Sequence, residues 1–161
     1  MTVTWLGVRA GALNLLLPVG DVAEVLPLEA CTAVPLTEAW FRGLCNVRGS
    51  LYSVLDLPVL LGFAPAPAGP EARILLLAPG RMRNTALLVN RLVGMQDRSG
   101  LMPCAAPPVS MPNAGPAVGT LRGRWRDVQD SEWHELDVAI LVSMPAFLAV
   151  AKPPIEAGVC S

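Results

Sequence analysis

The sequence predicts an all-β chain, folded as small barrels or as a sandwich. Three observations carry this: short apolar runs recur along the chain, Gly, Pro and Asn punctuate them at regular intervals, and little of the sequence has helical spacing. Spacing alone leaves barrel and sandwich both open.

Taken in order, Val3 to Val8 and Leu13 to Leu17 read as a hairpin across Arg9-Ala10-Gly11-Ala12, a turn that bears a glycine. After Pro18, the positions Val19, Val22, Val25 and Leu26 have helical spacing, and Asp21 near the start suits a helix dipole; one or two helical turns are expected. Cys31 to Pro35 reads as extended, and a helical turn around Glu38 to Phe41 delivers the chain to Asn46-Val47-Arg48-Gly49. Gly49 stands where a backbone with positive φ costs little, which puts Arg48 at the lip of a turn. Leu51 to Leu57 is then a strand carrying one acid, Asp56. Residues 64 to 70, APAPAGP, can neither donate to a regular ladder nor continue a helix, and so form a loop between two halves. Arg73 to Ala78 and Thr85 to Met95 pair across Pro79 to Asn84, a hairpin tip that displays Arg81 and Arg83. Pro103 to Pro116 is a long loop. Ala117 to Trp125 and Trp133 to Val138 form a further hairpin in which Trp125 and Trp133 face each other as a cross-strand pair. Ala139 to Val150 is a helix, or a strand followed by a closing turn, with Pro145 as its hinge.

Composition bounds the function. A chain of 161 residues suits one domain with a substantial core, and 53% hydrophobic against 16% charged residues implies much buried or partner-covered surface. Twelve Lys plus Arg oppose thirteen Asp plus Glu, so the strong field that attracts nucleic acid or anionic membrane is missing. Eleven of the twelve cations are arginine, which suits bidentate pairing with carboxylates on a protein-contacting surface; codon bias is the alternative explanation. The apolar windows fall short of the roughly 20 residues a membrane-spanning helix needs. Strands covered on both faces account for the hydropathy instead. Trp5 to Leu17 is broken by Arg9, Gly11 and Asn14, so no secretory leader is read, and Cys31, Cys45, Cys104 and Cys160 have neither metal-ligand nor redox spacing. Reduced thiols in a cytoplasmic protein are expected.

The search for chemistry returns little. His134 is the single histidine, set in Glu132-Trp133-His134-Glu135, and reads as a solvated hairpin residue; no catalytic residue, metal or cofactor is expected. Asp56 lacks a second carboxylate for acid/base work and is assigned to capping, or to accepting backbone hydrogen bonds at its strand end. The glycine-bearing pieces lack the spacing of a phosphate loop.

In the segment from Trp40 to Phe63, the residues Gly43, Asn46, Arg48, Gly49, Asp56, Leu57 and Gly62 form a pattern that resembles the signature of CheW-like domains, the small coupling modules of bacterial chemosensory arrays. Upstream, Val22-Ala23-Glu24-Val25 is similar to that family's short Val-x-Glu-Val segment. Downstream, Thr85 to Gly94 is similar to its second-barrel strand, and NVRGSLYSV with NTALLVNRLVG resembles the PilI-type members that serve type IV pilus systems. The likeness runs from about residue 3 to 150. It implies two small five-stranded SH3-like barrels sharing a core, with short helical turns. It also implies one CheW-like domain over residues 1–161, with interlocked halves at about 3–63 and 71–150 and a tail at 151–161. The implied activity is that of a non-catalytic adaptor, which couples the cytoplasmic tips of methyl-accepting chemoreceptors to the regulatory domain of a CheA-type histidine kinase. Such a protein sits in the cytoplasm at inner-membrane receptor arrays, without nucleic acid or direct membrane insertion, and controls twitching motility or flagellar chemotaxis. Two departures stand out: Asn90 where the family has aspartate, and Ala86-Leu87 where it has a Gly-hydrophobic pair.

The resemblance assigns partner binding to Arg48, Glu24, Val22, Gly43, Asn46 and Gly49. Structural alternatives stand beside these roles: local carbonyls for the Arg48 guanidinium, helix solubility for Glu24 and core packing for Val22. Trp40 and Phe41 are an interface anchor or aromatic core. The Arg81/Arg83 tip and the Arg122/Arg124/Arg126 alternation are basic patches or solvated faces. Two other classes remain. A β-barrel enzyme or metabolite binder needs convergent polar groups in a pocket. A nucleic-acid binder needs stacking aromatics on a basic face, for which one tyrosine and three phenylalanines are few.

Overall fold

The computed structural model of the chain describes residues 4–28, 31–33, 38–104 and 115–144. Strands β1 (Thr4–Ala10) and β2 (Leu13–Pro18) form the expected hairpin on a two-residue turn, with Gly11 at φ 61°. The helix expected after Pro18 is replaced by a single 3-10 turn, Val19–Asp21, and strand β3 (Val22–Pro27). The cause is tertiary. The Asp21 carbonyl accepts the Ala78 N–H at 2.9 Å, the following residues pair with β6 (Arg73–Leu77), and Val22 and Val25 pack on the core. β-branched residues fit a pleated surface better than they fit a helix. The turn at Glu38 is a lone Phe41 N–H to Glu38 carbonyl bond of 3.0 Å, after which β4 (Phe41–Val47), absent from the sequence expectations, begins.

Strand β5 (Ser50–Asp56) leads into the short helix α1 (Leu57–Leu60), where Asp56 is the N-cap and Pro58 pre-sets the first turn. The later strands are β7 (Thr85–Val89), β8 (Arg91–Asp97), β9 (Leu101–Pro103), β10 (Leu121–Asp127) and β11 (Glu132–Leu136), followed by α2 (Val138–Ser143) with Asp137 as its cap. Residues 105–114, inside the expected Pro103 to Pro116 loop, and the Pro145 hinge lie outside the described residues.

Two sheets result, ordered β8-β1-β2-β11-β10-β9 and β3-β6-β7-β5-β4. The strands do not divide at residues 64–70 as expected: that loop connects α1 to β6 within the five-stranded sheet, and β1 and β2 join the strands that follow Asn90. The single run expected from Thr85 to Met95 breaks at Asn90 into β7 in one sheet and β8 in the other. The Asn90 N–H donates to the Arg9 carbonyl and its Oδ1 accepts the Gly11 N–H, both at 2.8 Å, fixing the crossover to the first hairpin. The missing family aspartate therefore leaves an acceptor oxygen in place.

The sheets share a core, as the resemblance implies. Leu6, Val8, Leu13, Leu15 and Leu17 from one sheet meet Phe41, Leu55, Leu75, Leu77, Leu87 and Val89 from the other. The alternate positions Ile74, Leu76, Ala86 and Leu88 face a second cluster with Cys45 and Val54, and Trp5, Leu16, Leu101 and Trp133 make a third. Both faces of the central strands are thus buried, which is why RILLL and TALLV are continuously apolar. Each fully buried leucine contributes about 1.5–3 kcal/mol by removal from water. Trp125 and Trp133 occupy opposed positions on β10 and β11, while the Trp125 ring meets Trp5 at 5.2 Å and 54°.

Candidate functional site

The Arg48-Gly49 turn joins β4 to β5 with both residues at positive φ, 51° and 86°. A two-residue turn of that hand matches the twist of a hairpin, and glycine suits its second position. Asn46 supports the turn by accepting the Gly49 N–H on Oδ1 at 2.9 Å. An arginine in the left-handed region is unusual. Its guanidinium bonds no local carbonyl; it forms a two-pronged pair with Glu24, with Nη1 to Oε2 at 2.7 Å and Nη2 to Oε1 closing the second prong. Glu24 is on β3, so the pair joins the two edge strands of the five-stranded sheet. Both side chains are exposed, 67% for arginine and 36% for glutamate, and the Arg48 bond holds the Glu24 carboxyl below its ordinary range.

Gly43 and Val22 lie elsewhere on the same barrel. Gly43, at φ 139°, sits at a register shift in β4, and a Cβ there would run into the Thr32 carbonyl. Its bareness lets Thr32 pair with Leu44 through bonds of 2.8 and 2.9 Å, so the chain leaving β3 crosses to β4 and closes the seam beneath Arg48. Val22 is half-buried against the shared core. The structure therefore brings Arg48, Glu24, Asn46 and Gly49 together, puts Gly43 under the seam and turns Val22 inward.

Sequence reasoning overlooked Leu51 and Arg42. Leu51, opposite Asn46 on β5, is 58% exposed beside the hairpin; a leucine facing water in a half-buried strand was the available signal. Arg42 reaches Asp56 at 3.0 Å and the Ala66 carbonyl at 3.0 Å. Asp56, 1% exposed, also accepts the Val59 N–H at 3.3 Å and the Ala66 N–H at 3.2 Å, so the expected capping role is seen together with an ion pair. Burial pushes its carboxyl above the ordinary range despite those donors. This knot anchors β5, α1 and the proline-rich loop at the end of the hairpin away from the Arg48 turn.

Four other arginines are also tied to carboxylates. Arg81, expected on display at a tip, holds the nearly buried Asp21 through Nε at 2.7 Å. Arg122, Arg124 and Arg126 pair with Asp137, Glu132 and Asp130, so the alternation is a series of ion pairs and not a basic stripe. His134 is buried at 5% exposure, contrary to the solvated reading, because β11 is an interior strand between β2 and β10. Burial, then the Arg124 charge, push its pKa down. Trp40 and Phe41 belong to the core. Among the described residues no group of three metal-ligating side chains converges, and no helix is long and apolar enough to cross a membrane.

The exposed ion pair thus stands on a two-sheet scaffold, and the comparisons with known proteins agree with that architecture. The chain is similar to the crystal structure of the scaffolding protein TtCheW from Thermoanaerobacter tengcongensis, with a TM-score of 0.70 and 21% identity over 91% of this chain and 96% of that one; this likeness shows the fold. It is 33% identical over 91 residues to Protein PilI of Pseudomonas aeruginosa, covering 56% of this chain and 51% of the relative. It is 31% identical over 83 residues to a protein of Rhizobium etli described as a probable chemotaxis protein CheW, covering 51% of this chain and 52% of that one. The chain thus spans about half the length of the curated relatives it matches. The family model of the CheW-like domain matches residues 4–145, nearly all of the described structure, and the chain belongs to the CheW-like domain family.

Proposed function

We propose that this chain is a non-catalytic coupling module that holds methyl-accepting chemoreceptors and a CheA-type histidine kinase in one signalling assembly. The observation that carries the reading is the Arg48–Glu24 pair: two charged groups, pre-set by a two-residue turn and a barrel seam, lie exposed on the hairpin that also carries the exposed Leu51. A fixed guanidinium next to an exposed leucine matches the mixed character of protein interfaces. Asn46, Gly49 and Gly43 serve by shaping the hairpin and seam, and Val22 by supporting β3 from inside. One barrel docks on the kinase's regulatory domain, and the groove between the barrels takes the receptor's helical tip. Each contact is modest, and simultaneous engagement of several partners raises their effective concentration. The module works in the cytoplasm at receptor arrays. Similarity to PilI supports twitching motility as its output, and similarity to the Rhizobium protein supports chemotaxis as the second reading.

The test is Arg48→Glu. It should leave the far-UV circular dichroism of the wild type and weaken capture of the kinase regulatory domain or receptor tip at least tenfold. Unchanged capture of both by a folded variant removes the hairpin from the interfaces.

A further inference from the structure

Cys31 and Cys45 are 14 positions apart in sequence, yet the seam sets them side by side. Thr32 and Leu44 exchange both backbone bonds, Thr32 N–H to the Leu44 carbonyl at 2.8 Å and Leu44 N–H to the Thr32 carbonyl at 2.9 Å. One step outward in this antiparallel pair, Cys31 falls opposite Cys45. Because Thr32 and Leu44 are the hydrogen-bonded pair, the cysteine pair is the non-hydrogen-bonded kind, in which Cα atoms approach to about 4.5 Å and side chains come closest. That separation lies inside the range a disulfide bridges. Two further observations agree. Both side chains belong to the same apolar cluster, Cys45 fully buried and Cys31 packed against it from a partly buried position. The two sulfurs also sense each other directly: burial first, then the Cys45 thiol and a hydrogen bond to it, push the Cys31 thiol up to about 11 against the pull of Arg42.

We infer that Cys31 and Cys45 are a dithiol pair built to close into a disulfide under a peroxide oxidant, stapling the chain that leaves β3 onto β4 beneath the Arg48 hairpin. Cys31, the less buried of the two, reacts first. Its thiolate sulfur attacks one peroxide oxygen, the O–O bond breaks, and the leaving hydroxide takes a proton to become water, leaving a sulfenic acid. The Cys45 sulfur, having given up its proton, then attacks the Cys31 sulfur, and the S–O bond breaks to release a second water. Two thiols lose two electrons and two protons, and one peroxide becomes two waters. A raised thiol makes the first step slow at neutral pH and faster as pH rises, so the pair is unresponsive to brief, weak oxidation. Once closed, the bridge ties the segment around Thr32 covalently to the edge strand β4, on the same sheet that carries the Arg48–Glu24 pair. The inference does not depend on which partner the hairpin meets.

The experiment uses the full chain with Cys104 and Cys160 replaced by serine, treated with excess hydrogen peroxide and then denatured. The expected result is loss of both remaining titratable thiols and a mass lower by two hydrogens. Peptide mapping should join the Cys31 and Cys45 peptides, dithiothreitol should restore both thiols, and oxidation should raise the thermal midpoint by several degrees. A Cys45→Ser change in this background should abolish the link and leave Cys31 gaining oxygen atoms. Survival of both thiols, addition of oxygen without a link, or a link only between two molecules would each overturn the inference.

Discussion

Replacing Asp56 by alanine should lower the unfolding free energy by about 2–3 kcal/mol, the upper part of the range for leaving buried hydrogen-bond donors without their acceptor. The figure follows from what the carboxylate touches. Arg42 Nη1 is at 3.0 Å, the Ala66 N–H at 3.2 Å and the Val59 N–H at 3.3 Å, all around a residue 1% exposed, so water cannot replace the lost acceptor. Asp56→Asn keeps one oxygen to accept the Val59 and Ala66 N–H groups and gives up the charge and the second acceptor, which meets Arg42. Since burial already pushes the carboxyl above its ordinary range, the charged form is poorly solvated there, and the asparagine variant should lose only about 1–2 kcal/mol. The pH dependence has a definite sign. A folded-state pKa raised above 3.8 means that the Asp56 contribution is fully present below pH 3.8 and is lost as pH rises through the folded value. The stability difference between wild type and Asp56→Asn should therefore be larger in acid than at neutral pH. Urea unfolding followed by circular dichroism, from acid to neutral pH, measures all three quantities. An alanine variant within about 1 kcal/mol of wild type, or an asparagine variant as damaged as the alanine one, refutes the idea that this carboxylate holds β5, α1 and the loop together.

Four further outcomes are expected. Gly43→Ala, which drives a Cβ into the Thr32 carbonyl at φ 139°, should cost more than about 2 kcal/mol and weaken amide-exchange protection at Leu44. Asn90→Ala leaves the Gly11 N–H without its acceptor and should cost about 1–3 kcal/mol, whereas Asn90→Asp, which keeps an oxygen, should stay close to wild type in the same melt. His134 is held below 6.5 by burial, so its contribution to stability is present above pH 6.5 and lost as pH falls through the folded value; His134→Asn should flatten that acid decline in unfolding curves. Combining Glu24→Arg with Arg48→Glu should restore the cross-seam pair without restoring partner capture, and a rescued capture would assign the pair to shaping the hairpin alone.

Much of the fold was legible in local pattern. Alternation and continuous apolar runs mark β1, β2, β5, β6, β7, β10 and β11, because a pleated strand puts neighbouring residues on opposite faces and both faces are covered at the central β6 and β7. The Asn46 to Gly49 turn could be placed because positive φ has a residue signature. The resemblance supplied the shared core that spacing left open.

What only the tertiary structure decided concerns partners distant in sequence. Val22 to Leu26 carry helical spacing, yet the ladder to β6 makes them a strand. Asn90 divides an unbroken apolar run between two sheets, a choice set by backbone bonds to Arg9 and Gly11. His134 lies in a polar stretch and is nevertheless buried, because β2 and β10 flank its strand. Arg48 and Glu24 could each be singled out alone, but their pairing requires the barrel to bring its first and last strands together. Local sequence sets which dihedrals and faces are favourable residue by residue. Which charge meets which, and which strand becomes interior, is settled by closure of the sheets, where burial and long-range hydrogen bonds outweigh local preference.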